Sequence, residues 1–138
     1  MLFYRIEDKK RYGPYKNGYD AIRQWLKGKS SSSPRHPVPQ DDSLLMESLR
    51  KDGFSEPYFP RFRFGFKSIE QLRAWFYDDK ILLALEALGF KLAIYDADVL
   101  VGSSQAVILD EEHVLQNRKE VRKLSSLCLT KPQKSATI

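Results

Sequence analysis

Arg63-Phe64-Gly65-Phe66-Lys67-Ser68 runs directly into Ile69-Glu70-Gln71-Leu72-Arg73-Ala74-Trp75-Phe76, so an aromatic, glycine-interrupted strand stops at a serine able to cap a helix. Ser68 with Gln71 three residues on forms a capping box, and Ile69, Leu72, Trp75 and Phe76 repeat at helical spacing. Strand ends that meet helix starts are where α/β proteins gather binding groups. Just upstream, Tyr58-Phe59-Pro60-Arg61-Phe62-Arg63-Phe64 interleaves aromatics with arginines. These residue types dominate interface energetics and also stack on single-stranded nucleic acid, which makes Arg61 and Arg63 candidate partner-binding residues. A core strand with Phe turned inward and Arg outward gives the same alternation.

The chain has no glycine-rich phosphate loop, no zinc-ligand spacing and no nucleophile elbow. Its one cysteine, Cys128, sits in Leu127-Cys128-Leu129, which excludes an internal disulfide and reads as a buried spectator. His36 falls in a proline-rich stretch and His113 in the first turn of an expected helix, and both read as surface residues. No metal is expected.

Charge is uneven along the 138 residues. Residues 1–40 carry nine Lys/Arg against three Asp/Glu, residues 41–115 eight against fourteen, and residues 116–138 six against one. Basic ends on an acidic middle suit an acidic protein surface, nucleotide phosphates or nucleic acid, and also a solvated tail. Arg118, Arg122 and Lys123 are the candidate contacts in the second basic segment. No run reaches the roughly 18 apolar residues of a membrane span, and Met1-Leu2-Phe3-Tyr4-Arg5 opens as a strand rather than a signal peptide, so a soluble, cytoplasmic protein with no membrane partner is expected.

The elements that must position these residues follow from periodicity and punctuation. Residues 2–7 alternate as a first strand, and Tyr19, Ile22, Trp25 and Leu26 predict a short helix ending at Gly28. Residues 29–40, rich in serine and proline, predict a mobile loop. Asp41 or Asp42 caps a helix to about Lys51 with Leu44, Leu45, Leu49 and Met46 inward, and Asp78-Asp79 opens a deeply buried helix closed by Gly89. Strands are expected over 62–66, 90–95 and 105–109, with a short extended piece at 99–101. Asp110 is expected to cap a last helix through Val114, Leu115, Val121, Leu124 and Cys128 or Leu127, before a disordered tail over 130–138. The order predicts one α+β domain over 1–129: a mixed, bent sheet of about four to six strands flanked by helices. Phe3, Trp25, Leu72, Trp75, Leu82, Leu85, Leu92, Ile94, Val107 and Leu115 are its expected core.

This succession resembles ADP-ribosyltransferase-like domains, in which a first strand carries an Arg or His after an aromatic, a middle strand ends in an aromatic-Ser/Thr element before a helix, and a late strand carries a catalytic Glu or Gln. The matching positions are Tyr4-Arg5, Phe64-Gly65-Phe66-Lys67-Ser68 and Gln105, with Leu92-Ala93-Ile94-Tyr95-Asp96 as the strand between. The resemblance implies a split sheet with NAD as cofactor. Arg5 would hold a phosphate or ribose hydroxyl, Ser68 would brace the site, Tyr4, Phe64 or Phe66 would line or stack on the nicotinamide, and Gln105 would occupy the catalytic position. A neutral Gln can bind the ribose hydroxyl but cannot stabilise a cationic transition state, so transfer is expected to be weak or absent.

The small, basic, lone domain also resembles accessory proteins of phages and prophages that bind and inhibit a host or defence protein, by analogy independent of fold. Nucleic-acid binding is the third expectation. Whether the protein is an enzyme stays open at this level.

Overall fold

The computed structural model describes residues 1–17, 22, 41–54 and 61–128. The expected helix from Tyr19 to Gly28, the 29–40 loop and the 130–138 tail lie outside the described residues, apart from a buried Ile22.

The elements are β1 (Leu2–Glu7), α1 (Pro14–Asn17), α2 (Ser43–Lys51), β2 (Phe62–Gly65), α3 (Ile69–Trp75), α4 (Asp79–Ala87), β3 (Lys91–Asp96), β4 (Leu100–Val101), β5 (Ala106–Leu109), α5 (Glu112–Leu115) and β6 (Arg118–Arg122), then a 3₁₀ turn (Leu124–Leu127). This is the expected α+β domain. Its strands form two antiparallel three-stranded sheets, ordered β1-β3-β6 and β2-β5-β4. The sheets touch at one bridge, where Tyr4 and Phe66 exchange both backbone hydrogen bonds at 2.8 Å.

Side chains alternate across β1 and divide the core. Ile6 and half-buried Tyr4 join Leu92 and Ile94 under α3, α4 and the 3₁₀ turn, in a cluster with Leu72, Trp75, Leu82, Leu85 and Leu124. Phe3 faces the other way with Ala93 and Tyr95, beneath Ala106 and Ile108 of β5 and half-buried Val114 and Leu115 of α5. A third cluster, Leu45, Leu49, Phe62 and Val107, packs α2 on the second sheet. All the expected core residues that are described are buried except Leu115, which is half-buried.

Helix starts follow local chemistry. Asp42, Ser68 and Asp78 are the N-caps of α2, α3 and α4, accepting from the amides of Leu45, Gln71 and Lys80. Gln71 extends the cap: its Oε1 accepts from the Lys67 amide at 2.8 Å, and its Nε2 donates 2.9 Å across to the Gly102 carbonyl, fastening the helix start to the β4–β5 turn. Glycine is required at 65, where a Cβ would lie 2.5 Å from the Tyr4 carbonyl oxygen and 2.6 Å from the Phe3 ring.

Leu44, expected on the inner side of α2, is 46% exposed, because Leu45 and Leu49 take the buried side, and the structure corrects three further expectations. Residues 111–128 are not one helix: α5 ends at Leu115, and Arg118–Arg122 joins the first sheet beside β3. The stripe counted from Val114 to Cys128 contains a strand, because pairing with β3 outweighs a weak helical pattern. Asp110 does not cap α5. Glu111 stands at that position without a side-chain cap, and Asp110 instead pairs with Arg63. Finally, α4 buries Ile81, Leu82 and Leu85, but its other side is open.

Candidate functional site

The alternation that places Phe3 against the second sheet places Arg5 and Glu7 on the same face, together with Tyr95 from β3. Glu7 is 2% exposed and is surrounded by donors. Arg5 Nε reaches its Oε2 at 3.1 Å, Arg118 Nη1 reaches its Oε1 at 3.0 Å, and the Tyr95 hydroxyl donates to the carboxylate at 2.9 Å. Arg5 also donates from Nη1 to the Phe64 carbonyl at 2.6 Å and from Nη2 to the Arg11 carbonyl at 3.4 Å.

That Arg11 carbonyl is the meeting point of two guanidinium groups, because Arg63 Nη1 donates to it as well. Arg11 is held with φ +67°, in the left-handed region that a non-glycine residue rarely adopts. The turn that imposes this conformation is tied by Asp8, whose Oδ1 accepts from the amides of Lys10 and Tyr12 while its carbonyl accepts from the Arg11 amide. The Arg11 guanidinium crosses to the Leu115 carbonyl at 3.4 Å. Arg63 Nε pairs with Asp110 at 3.1 Å. Lys91 lies directly opposite Glu7 in the β1–β3 register.

Arg5, Arg11, Arg63 and Arg118 thus come together with the carboxylates of Glu7 and Asp110 and with Asp8 in the turn that holds Arg11. Burial depresses the Arg5 pKa, the Glu7 charge offsets part of that, and repulsion by Arg63 depresses it further. Burial followed by the Glu7 charge pushes the Tyr95 hydroxyl up to about 12, and Arg11 and Arg118 pull the other way. Several partly desolvated guanidinium groups side by side next to a strained backbone are an arrangement that a bound anion stabilises.

The other residues singled out from the sequence are dispersed. Ser68 is at the start of α3 with its hydroxyl on the Gln71 amide. Gln105 is buried in the β4–β5 turn, one residue before the strand expected to begin there, with its carbonyl accepting from the Gly102 amide at 2.8 Å. Tyr4 is on the opposite face of β1 from Arg5. Phe66 is 6% exposed and packs edge-on to Trp75 and Phe76. Phe64 lies half-buried against the α2 cluster and enters the site through its carbonyl. Arg61 stacks over Phe54 at 5.0 Å. Arg122 pairs with Glu120 on exposed β6, and Lys123 follows it in solvent.

A second polar knot holds the β4–β5 turn. Asp42, beyond capping α2, accepts from both amides and both hydroxyls of Ser103 and Ser104 at 2.9–3.0 Å. Burial alone would raise its pKa, but these bonds together outweigh burial and hold the carboxyl below its ordinary value.

Glu7, Arg11 and Tyr95 were absent from the residues picked on sequence. The two-residue spacing of Arg5 and Glu7 on a strand was the available signal, since it sets both on one face. Among the described residues no His/Cys/Asp/Glu cluster is arranged to hold a metal, and no helix is long and apolar enough to cross a membrane.

Neither a curated protein nor a solved structure matches the chain. One family model does, that of the bacteriophage T4 Y00F protein, over residues 1–122. That span runs from the first strand to the end of β6 and contains every member of the guanidinium cluster, so the chain belongs to the Y00F family of phage proteins.

Proposed function

We propose that the protein binds a phosphate-bearing ligand, a nucleotide such as NAD or ADP-ribose, at the guanidinium cluster, with little or no group transfer. The observation that carries this reading is the convergence of Arg5 and Arg63 on the Arg11 carbonyl. Two like charges are held side by side there, each with one carboxylate partner, and Arg11 and Arg118 lie beside them, so a phosphate could add charge-assisted hydrogen bonds to several guanidinium groups at once. Weak transfer follows from the carboxylates: Glu7 is already engaged by Arg5, Arg118 and Tyr95, and Gln105 is neutral and buried. Neither is free to stabilise a developing oxocarbenium ion.

The test is thermal unfolding with ADP-ribose, NAD, ADP or inorganic phosphate. A ligand at one hundred times its Kd stabilises the fold by about 2.7 kcal/mol. Arg63→Ala should remove the shift, since Arg63 is half-buried and its loss leaves Glu7 paired. No shift with any of the four ligands would overturn the reading. Labelled NAD incubated with host lysate should give little modification, and strong labelling would show that transfer does occur.

A second reading, a phage accessory protein that binds and inhibits a host or defence protein, is supported by the family and by the exposed basic run Lys119, Arg122 and Lys123. Affinity capture with mass spectrometry tests it. Binding to nucleic acid through the same run is recognised separately by its salt slope.

A further inference from the structure

The solvent side of α4 is not built like that of a surface helix. Lys80, Leu83, Ala84, Ala87 and Leu88 are exposed and fall at i, i+3, i+4, i+7 and i+8, so they form one stripe. Leu83 is 47% and Leu88 56% exposed. The outward side of α2 also shows one leucine, Leu44, but it is set among Glu47, Arg50 and Lys51, whereas the α4 stripe has two leucines and two alanines in succession. Two turns of a helix with apolar residues facing water and a charge only at one end mark an interaction surface.

We infer that this stripe packs against the same stripe of a second copy of the chain, with the two α4 helices antiparallel about a two-fold axis. Charge selects this occupant. Acidic residues cap and begin α4 at Asp78 and Asp79, whereas its last turn has no basic residue to complement the carbonyl end. Lys80, which has no ion pair among the described residues, lies at the opposite end of the stripe. Antiparallel pairing sets each Lys80 over the carbonyl end of the other helix, while Asp79 beside it is already paired with Arg73. Ala84 then meets Ala87 of the second copy, and small residues at the crossing let the axes approach to about 8 Å. The contact is self-complementary, as a two-fold interface must be. Two helical turns make a contact well below the standard interface size, so the dimer is weak, with a dissociation constant of about 0.1–1 mM.

Sedimentation of the full chain across that concentration range tests it. The expected result is a reversible monomer–dimer shift that Leu83→Glu abolishes and Lys80→Glu weakens at least several-fold, with the circular-dichroism spectra of both variants unchanged. Orientation is read by oxidising an equal mixture of Ala84→Cys and Ala87→Cys chains, which should give mostly the mixed disulfide. A wild-type chain that stays monomeric, a dimer that survives Leu83→Glu, or disulfides formed mostly between like chains would each overturn the inference. A monomer whose capture of a host protein is lost in Leu83→Glu would assign the stripe to a foreign helix instead. None of these outcomes depends on the nucleotide reading, because α4 packs on the other face of the first sheet from Arg5.

Discussion

The guanidinium of Arg5 and the carbonyl of Phe64 meet at 2.6 Å, one and two residues from the Tyr4–Phe66 bridge that joins the two sheets. A side chain on the first sheet therefore fastens the backbone of the second, and it does so while held by Glu7. Removing Glu7 leaves Arg5 and Arg118 without their carboxylate. Glu7→Gln should cost about 3–5 kcal/mol, the range for breaking a buried pair from one side. Urea unfolding measures it. A loss under about 1 kcal/mol would mean that the network adds little to the fold.

Gly65→Ala should destabilise the protein severely. The added methyl group meets the Tyr4 carbonyl oxygen at 2.5 Å, and a backbone atom already paired across the bridge cannot give way as a flexible side chain can. A drop in melting temperature well beyond the few degrees of a surface glycine substitution is the expected reading, whereas Gly53→Ala, where a Cβ has nothing within 4 Å, should show only the cost of its positive φ.

Stability should fall in acid through Asp42. Its folded-state pKa lies below the unfolded value near 3.9, so its contribution is fully present above that pH and is lost as pH falls through the folded value. Asp42→Asn turns one acceptor into a donor facing the Ser103 and Ser104 amides, and should cost about 2–3 kcal/mol at neutral pH while flattening the acid limb. Denaturation curves at a series of pH values, wild type against variant, check both. An acid limb equally steep in the variant would assign it to other carboxylates.

Ser68→Ala should cost about 1 kcal/mol, as for the loss of a helix cap alone. Gln71→Ala should cost more, because it frees the Lys67 amide and the Gly102 carbonyl together. Equal melting temperatures for the two variants would show that the bond to the β4–β5 turn contributes nothing.

Elements with local punctuation were legible in the sequence. α2, α3 and α4 begin at Asp42, Ser68 and Asp78, as their cap chemistry indicates, and Gly53 and Gly89 end their helices at φ +93° and +97°. β6 was not legible. Arg118-Lys119-Glu120-Val121-Arg122 has no buried side to impose a period, and its structure is set by β3 and by Glu7, which sequence spacing cannot reveal. The site was half legible for the same reason. Arg5, Arg63 and Arg118 were singled out on separate grounds, but Arg11 joins them through a backbone conformation that Tyr12 and Gly13 do not announce.

The pairing of Leu2 with Asp96 has a consequence in time. β1 is made long before β3, its sheet partner, with β6 later still. Translation at about 5–20 residues per second therefore leaves Phe3 and Ile6 uncovered for several seconds before β3 exists to receive them. Such long-range pairing also slows folding once the chain is complete.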